Sequence, residues 1–115
     1  MSETIFSKII RKEIPADIVF ENEFILAFKD INPKAPVHVL IIPKKEISTV
    51  TELNGKEDAV ILGQLFDAAN SIAKTMHIDE EGFRLVLNCG KNGGQEVNHL
   101  HMHLLGGRQM SWPPG

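Results

Sequence analysis

Apolar and polar side chains alternate strictly between residues 99 and 104, within the segment Asn-His-Leu-His-Met-His-Leu-Leu at 98–105. Side chains on a β-strand point to opposite faces in turn, so a strand here places the histidines on one face and the apolar residues on the other. Successive histidine Cα atoms then lie roughly 6.5–7 Å apart. A helix would spread the imidazoles around its circumference. The pattern predicts a strand carrying a row of three imidazoles, those of His99, His101 and His103.

Four further segments have the pattern of β-strands. Short apolar and β-branched runs, bounded by turn residues, predict strands at residues 17–21, 24–30, 37–43 and 83–88. The run at 37–43 is apolar almost throughout, as expected of a strand at the centre of a sheet. With the histidine strand, these segments predict an α+β domain with a five-stranded antiparallel sheet.

Two segments have apolar residues at helical spacing. The first covers residues 4–12 and predicts a short helix with Ser2 or Thr4 as its N-cap. The second begins after Asn54-Gly55 and predicts a long helix over about residues 56–76. Two apolar positions widen the buried stripe of the long helix and indicate a second contact, such as a subunit partner: Leu62 and Phe66.

Composition narrows the class of protein. The chain has 115 residues, of which 43% are hydrophobic and 23% charged, and this predicts one small domain spanning residues 1–115. A net charge of −3 argues against a nucleic-acid-binding surface. No apolar run approaches the roughly 18 residues of a membrane span, so we expect no membrane association. The single cysteine, Cys89, favours a reducing compartment and a cytoplasmic location.

The histidine strand supports two kinds of chemistry. Three imidazoles on one face could bind zinc, which accepts three histidine ligands and a water molecule in catalytic sites. Alternatively, one imidazole could be a nucleophile while the others position it and carry protons. The alternation of residues alone does not separate these two possibilities.

The segment His-Leu-His-Met-His-Leu-Leu fits the pattern His-x-His-x-His-x-x, with x apolar, and so resembles the histidine-triad (HIT) superfamily. The flanking residues 93–97, 106–108 and 112–115 are similar to those of its Hint branch, the histidine triad nucleotide-binding proteins, as is the opening at 4–10. This resemblance implies the fold predicted above, in a homodimer whose two sheets join into one. It also implies that the tail at 112–115 reaches towards the partner's active site.

The resemblance assigns a role to each histidine near the site. It implies that His101 attacks the α-phosphorus of a nucleotide, and that His99, or the backbone beside it, orients the His101 ring. His103 would contact phosphate and lie on the proton path to the leaving group. A transferase branch has Gln in place of His103, so a histidine here favours a hydrolase. His38 corresponds to a fourth histidine beside the triad, although a buried strand histidine is the structural alternative.

A glycine-containing loop at 91–96 precedes the histidine strand and resembles the phosphate-binding segment of the family. Glycines there would let backbone N–H groups form an anion cradle. Some relatives have Ser in place of Glu96, and we hypothesise that this carboxylate favours a cationic leaving group, such as a lysine amine. The resemblance implies a contact with the nucleotide from Asn88, and contacts on the phosphate side from Gly94, Gln95 and Glu96.

Ribose and base contacts also follow from the resemblance. Asp30 and Ile31 correspond to the ribose site, where a carboxylate can accept hydrogen bonds from both vicinal hydroxyls. A turn cap is the structural alternative for Asp30, and a loop cap is the alternative for Asn88. The apolar walls of a purine pocket correspond to Phe6, Ile9, Ile14 and Phe28.

The resemblance implies a purine nucleoside phosphoramidase. Such an enzyme hydrolyses the P–N bond of adenosine 5′-phosphoramidates, including AMP linked to lysine, through a covalent AMP–histidine intermediate. It needs no metal or cofactor, and apolar pocket walls would also admit GMP derivatives. The alternatives are a dinucleoside polyphosphate hydrolase and a zinc-binding or nucleotide-sensing interaction module.

Overall fold

The structure is a computed structural model, and it describes residues 3–115. Its centre is a five-stranded sheet in which every neighbouring pair of strands is antiparallel. This confirms the predicted α+β class and sheet. In chain order the elements are α1 (Ile5–Ile10), β1 (Ile18–Glu21), β2 (Ile25–Lys29), β3 (Val37–Pro43), a 3₁₀ turn (Val50–Glu52), α2 (Ala59–Thr75), β4 (Phe83–Leu87), α3 (Gly90–Gly93) and β5 (Met102–Gly106).

The apolar strand β3 lies at the centre of the sheet, whose order is β1-β2-β3-β5-β4. Its residues alternate between two buried faces because helices cover both sides of the sheet. Val39 and Ile41 belong to the cluster that packs against α2, whereas Leu40 and Ile42 belong to the cluster that includes α1. His38 has the same parity as Leu40, so its side chain lies on the α1 face.

Strand β5 is shorter than the sequence predicted, because it begins at Met102 rather than near Asn98. The ladder with β3 stops at the pair Ile41–Met102. Two residues further along β3 is Pro43, which has no N–H to donate to a ladder. The amide of Leu100 instead donates to the carbonyl of Ile47, at 2.7 Å. His99 and His101 therefore lie in an irregular segment before the strand, and only His103 lies within it.

The helices also differ from the prediction at their ends. Thr4 is the N-cap of α1 and forms a capping box with Ser7, while Ser2 lies outside the described residues. Helix α1 ends at Ile10, short of the predicted residue 12, because Lys12 takes a left-handed conformation with φ of 62°.

Helix α2 begins at Ala59 because the preceding residues form a turn around Asp58. This carboxylate accepts hydrogen bonds from the Asn54 amide and from Lys45 Nζ, each at 2.9 Å. The Asn54 amide and the Lys45 ammonium lower the pKa of Asp58.

A third helix, α3, occupies part of the segment predicted as a loop. Within residues 3–115, no helix has the length and apolar character required to cross a bilayer.

Candidate functional site

The α1 face of the sheet contains a cavity of about 640 Å³. Helix α1 and strand β2 line one side of it, and the segment from residue 88 to residue 103 lines the other. The cavity brings together most of the predicted site residues. Those that line it are Phe6, Ile9, Ile14, Phe28, Asp30, Ile31, His38, Asn88, Gly94, Glu96, His101 and His103.

A backbone carbonyl fixes the tautomer of His101. Its Nδ1 lies 2.8 Å from the carbonyl oxygen of His99, in a buried setting. A carbonyl oxygen can only accept, so Nδ1 carries a proton, and in the neutral ring Nε2 keeps its lone pair. The ring of Phe6 packs edge-on against the imidazole with 5.1 Å between centroids. His101 is therefore a held imidazole with an unprotonated nitrogen in the wall of a cavity.

The ring of His99 does not line the cavity. Its side chain is buried, and its Nε2 donates to the carbonyl of Pro43 at 2.8 Å. Burial lowers the pKa of His99, which keeps the ring neutral. Of the two orienting groups that the sequence suggested for His101, the backbone carbonyl of His99 makes the contact. The imidazole of His99 instead anchors the segment to the end of β3.

His38 and His103 form a hydrogen-bonded pair. The amide of Lys34 donates to His38 Nδ1 at 3.0 Å, so that nitrogen is an acceptor and the neutral ring carries its proton on Nε2. His38 Nε2 lies 3.0 Å from His103 Nδ1 and 3.4 Å from Asp30 Oδ2. With His38 as the donor, His103 accepts at Nδ1 and carries its own proton on Nε2. Neutral His103 thus has one N–H donor left.

Burial keeps both rings of this pair neutral. It lowers the pKa of His103 to about 4, and the nearby rings of His101 and His38 act in the same direction. Burial also lowers the pKa of His38, and the negative charge of Asp30 opposes this shift. Asp30 has two roles in the structure, since its Oδ1 accepts from the Asn32 amide at 2.8 Å while the residue lines the cavity. The turn cap and the proposed ribose contact are therefore compatible.

The segment before the histidines is built differently from the predicted anion cradle. The amides of Gly94 and Gln95 donate to the carbonyls of Lys91 and Gly90, so neither is free for phosphate. Gly94 has a φ of 77°, the left-handed conformation that closes α3. Across residues 3–115, the Glu96 amide has no hydrogen-bond acceptor. Because Glu96 lines the cavity, its amide is a candidate backbone donor to a bound phosphate.

Gln95 braces the segment and does not line the cavity. Its Nε2 donates to the carbonyls of Ser48 and Val97, at 2.7 and 2.9 Å. Its Oε1 accepts from the amide of Gly90 at 3.1 Å. Gln95 thus ties helix α3 to the loop that follows β3, and its side chain is engaged away from the predicted phosphate contact.

Aromatic and aliphatic side chains form the far wall of the cavity. The rings of Phe6 and Phe28 pack edge-to-face with 5.5 Å between centroids, and Ile9 and Ile14 lie beside them. Ile31 is 91% exposed, so it forms part of the rim. A flat apolar slot of this kind suits an aromatic base.

Sequence reasoning missed the part that Lys34 plays at this site. Its amide sets the tautomer of His38, but a backbone group leaves no residue-type signal. The structure also places metal-ligating atoms of Asp30, His38 and His103 within 4.8 Å of one another, a set that could hold a metal ion.

Comparison with known proteins is consistent with this geometry. The HIT domain family matches residues 11–110. Over 108 residues the chain is 51% identical to the purine nucleoside phosphoramidase of Escherichia coli K12, covering 94% of this chain and 90% of that protein. It is also 52% identical over 115 residues to the 14 kDa zinc-binding protein of Zea mays, covering 99% and 89%.

A solved structure extends the similarity to the whole fold. The HIT family hydrolase from Legionella pneumophila Philadelphia 1 superposes with a TM-score of 0.95 at 51% identity, covering 98% of this chain and all of that chain. The chain belongs to the HIT domain family and is a hydrolase of that family.

Acid should destabilise the fold through His103. Its pKa falls from 6.5 to about 4 on folding, so between these values the unfolded chain binds a proton that the folded chain does not. The stability that the neutral ring contributes is complete above about pH 6.5 and is lost as the pH falls towards 4. In urea titrations across this range, His103→Gln should show a smaller dependence of the unfolding free energy on pH. An unchanged dependence would contradict the buried neutral imidazole.

Proposed function

We propose that the protein is a purine nucleoside phosphoramidase that hydrolyses adenosine 5′-phosphoramidates, with AMP-lysine as the type of substrate. The observation that carries this proposal is the fixed tautomer of His101, which in the neutral ring leaves the lone pair on Nε2, in the wall of a cavity large enough for a nucleotide. The similarity to a relative named as a purine nucleoside phosphoramidase supports the same activity.

The cavity offers a contact for each part of the nucleotide. The base fits against Phe6, Ile9 and Phe28, and Asp30 accepts the ribose hydroxyls through its carboxylate. The wall beside the base is apolar, so it does not discriminate strongly between adenine and guanine, and GMP derivatives are expected substrates as well. On the phosphate side the donors are the Glu96 amide, the Asn88 side chain and the Nε2–H of His103.

The reaction proceeds in two displacements. His101 Nε2 attacks the phosphorus, the P–N bond breaks, and the amine leaves with a proton taken from solvent, giving a nucleotidyl–imidazole. Water then attacks the phosphorus and gives up a proton to solvent, the bond to His101 breaks, and the nucleoside monophosphate is released. The balance is phosphoramidate plus water giving nucleoside monophosphate plus amine. His103 stabilises the charge on the phosphate oxygens through its N–H donor in both displacements.

Glu96 lies where a leaving group would exit. It is exposed, it lines the cavity, and it follows the segment proposed to contact phosphate. A carboxylate at this position attracts a positively charged leaving group and repels a negatively charged one. We therefore include a preference for cationic amines in the proposed specificity.

A homodimer with a continuous sheet is part of the proposal. Strand β4 is at the edge of the sheet, and an edge strand has unpaired backbone groups that can join a second sheet. Leu87 at the end of β4 is 39% exposed, and Phe66 on α2 is 50% exposed. A second copy would cover them.

The single-domain organisation and the cytoplasmic location are also part of the proposal.

Zinc binding is the second candidate function. The relative from Zea mays is named as a zinc-binding protein, and Asp30, His38 and His103 offer two nitrogens and one oxygen within 4.8 Å. Imidazole and carboxylate are ordinary zinc ligands. Zinc bound to both rings would replace the proton between them, so zinc binding and the hydrogen-bonded pair exclude each other. The chelator comparison below separates the two functions.

Removing the nucleophile should abolish turnover. We expect wild-type protein to release AMP and lysine from AMP-lysine in the presence of a chelator, and His101→Gln to be slower by at least about a thousandfold. His77→Gln, which changes an exposed histidine at the end of α2, is the matched control and should match wild type. Turnover that requires zinc, or a His101→Gln variant that retains activity, would contradict the proposal.

Changing Glu96 should alter the preference among leaving groups. Glu96→Gln keeps the size of the side chain and removes its charge, and Glu96→Ser removes both. Each should reduce, by about fivefold, the ratio of kcat/KM for a cationic amine leaving group to that for a neutral amine of similar size. Glu23→Gln, in the exposed turn between β1 and β2, is the control. An unchanged ratio in both Glu96 variants would show that this carboxylate does not select the leaving group.

A further inference from the structure

Arg108 joins the end of β5 to the loop between β2 and β3, which comprises residues 30–36. Its Nε and Nη2 both donate to the carbonyl oxygen of Lys34, at 3.1 and 3.0 Å. Its Nη1 donates to the carbonyl of Gln109 at 3.2 Å. One guanidinium thus uses all three nitrogens on backbone carbonyls, and two of them hold a single peptide group of the loop.

A second contact holds the same loop against the same turn. Gly107 has a φ of +88°, and a Cβ built there would lie 2.9 Å from Cβ of Pro36. The backbone of Gly107 therefore packs directly on the proline ring, and a side chain would not fit. The loop is fixed at Lys34 by hydrogen bonds and at Pro36 by packing.

This loop sets the tautomer of a histidine in the cavity. The Lys34 amide donates to His38 Nδ1 at 3.0 Å, and the Lys34 carbonyl that Arg108 holds is on the far side of the same Cα. Fixing that carbonyl limits the backbone rotation of Lys34, and this in turn limits the direction in which its N–H points. His38 in turn contacts His103 Nδ1 at 3.0 Å. A continuous set of contacts thus runs from Arg108 to His103, which lines the cavity.

We propose that Arg108 is a positioning residue for the hydrolysis: by clamping Lys34 it keeps the His38 proton on Nε2 and thereby keeps His103 as an Nε2–H donor. The proposal rests on the proposed function for its catalytic consequence, but the tautomers themselves do not depend on any substrate. Arg108 is exposed and does not line the cavity, so it acts only through the loop and the two rings.

If Arg108 had only a structural role, its replacement would have a different effect. An exposed arginine on a backbone carbonyl contributes little to the stability of a fold, so loss of Arg108 should leave the protein folded. Loss of a group that orients a catalytic imidazole commonly lowers activity by about 10- to 100-fold, as known for the partners that orient metal-bound histidines. Measuring the tautomers of the imidazoles therefore distinguishes a positioning role of Arg108 from a purely structural one.

The direct measurement is long-range ¹H–¹⁵N NMR of the histidine rings in the protein without substrate. In wild type, His38 and His103 should both be Nε2–H tautomers. In Arg108→Met, both should show a second population with the proton on Nδ1, while His101 stays unchanged because the His99 carbonyl holds it. Wild-type rings with the proton on Nδ1, or Arg108→Met rings identical to wild type, would overturn the proposal.

Kinetics on the same variants give the catalytic consequence. Arg108→Met should lower kcat for AMP-lysine by about tenfold or more and change KM by less than about threefold, and Arg108→Lys should recover part of the loss with its single donor group. Arg11→Met is the matched control, because Arg11 is also exposed, pairs with the side chains of Glu3 and Glu13, and does not line the cavity. Equal rates for Arg108→Met and Arg11→Met would overturn the positioning role. Lack of turnover by wild type would instead overturn the proposed function.

Discussion

The hydrogen bond from His101 Nδ1 to the His99 carbonyl is the interaction on which the chemistry of this site depends. It decides which nitrogen of the central imidazole carries the proton, and so which nitrogen attacks phosphorus in the proposed reaction. The carbonyl is available because residues 98–101 leave the ladder before β5. The His99 ring keeps this segment in place by donating to Pro43. The position at which β5 starts therefore determines the tautomer of His101.

Backbone groups set the protonation pattern on both sides of the cavity. A carbonyl holds His101 as an Nδ1–H tautomer, and an amide, that of Lys34, holds His38 as an Nε2–H tautomer that directs His103. Burial keeps His38 and His103 neutral by lowering their pKa values. The result is one imidazole with a free lone pair and, next to it, another with a free N–H. The proposed reaction needs both states, because nucleophilic attack needs the free lone pair and stabilisation of the phosphate charge needs the free N–H.

The sequence was sufficient to predict the sheet and to place His101 and His103 in one site, because apolar runs and alternation are direct signals of strands. It was wrong about His99, whose ring bonds to Pro43 instead of joining a row of three imidazoles. It did not predict that β5 starts at Met102, since that depends on where the ladder with β3 ends and on the bond from the Leu100 amide to the Ile47 carbonyl. It also placed Gln95 at the phosphate, whereas its amide group bonds to Ser48 and Val97. The part played by Lys34 could not be found, because any non-proline residue supplies the same N–H. Contacts made by backbone groups follow from the fold rather than from residue types.

The central claim is that hydrolysis passes through a covalent bond between phosphorus and His101. The most direct test is the stereochemical course at phosphorus, measured by ³¹P NMR after hydrolysis of a P-chiral adenosine phosphorothioamidate in ¹⁸O-labelled water. Two in-line displacements each invert the centre, so the account predicts net retention of configuration. Net inversion would mean that water attacks the phosphoramidate directly and that His101 is not the nucleophile.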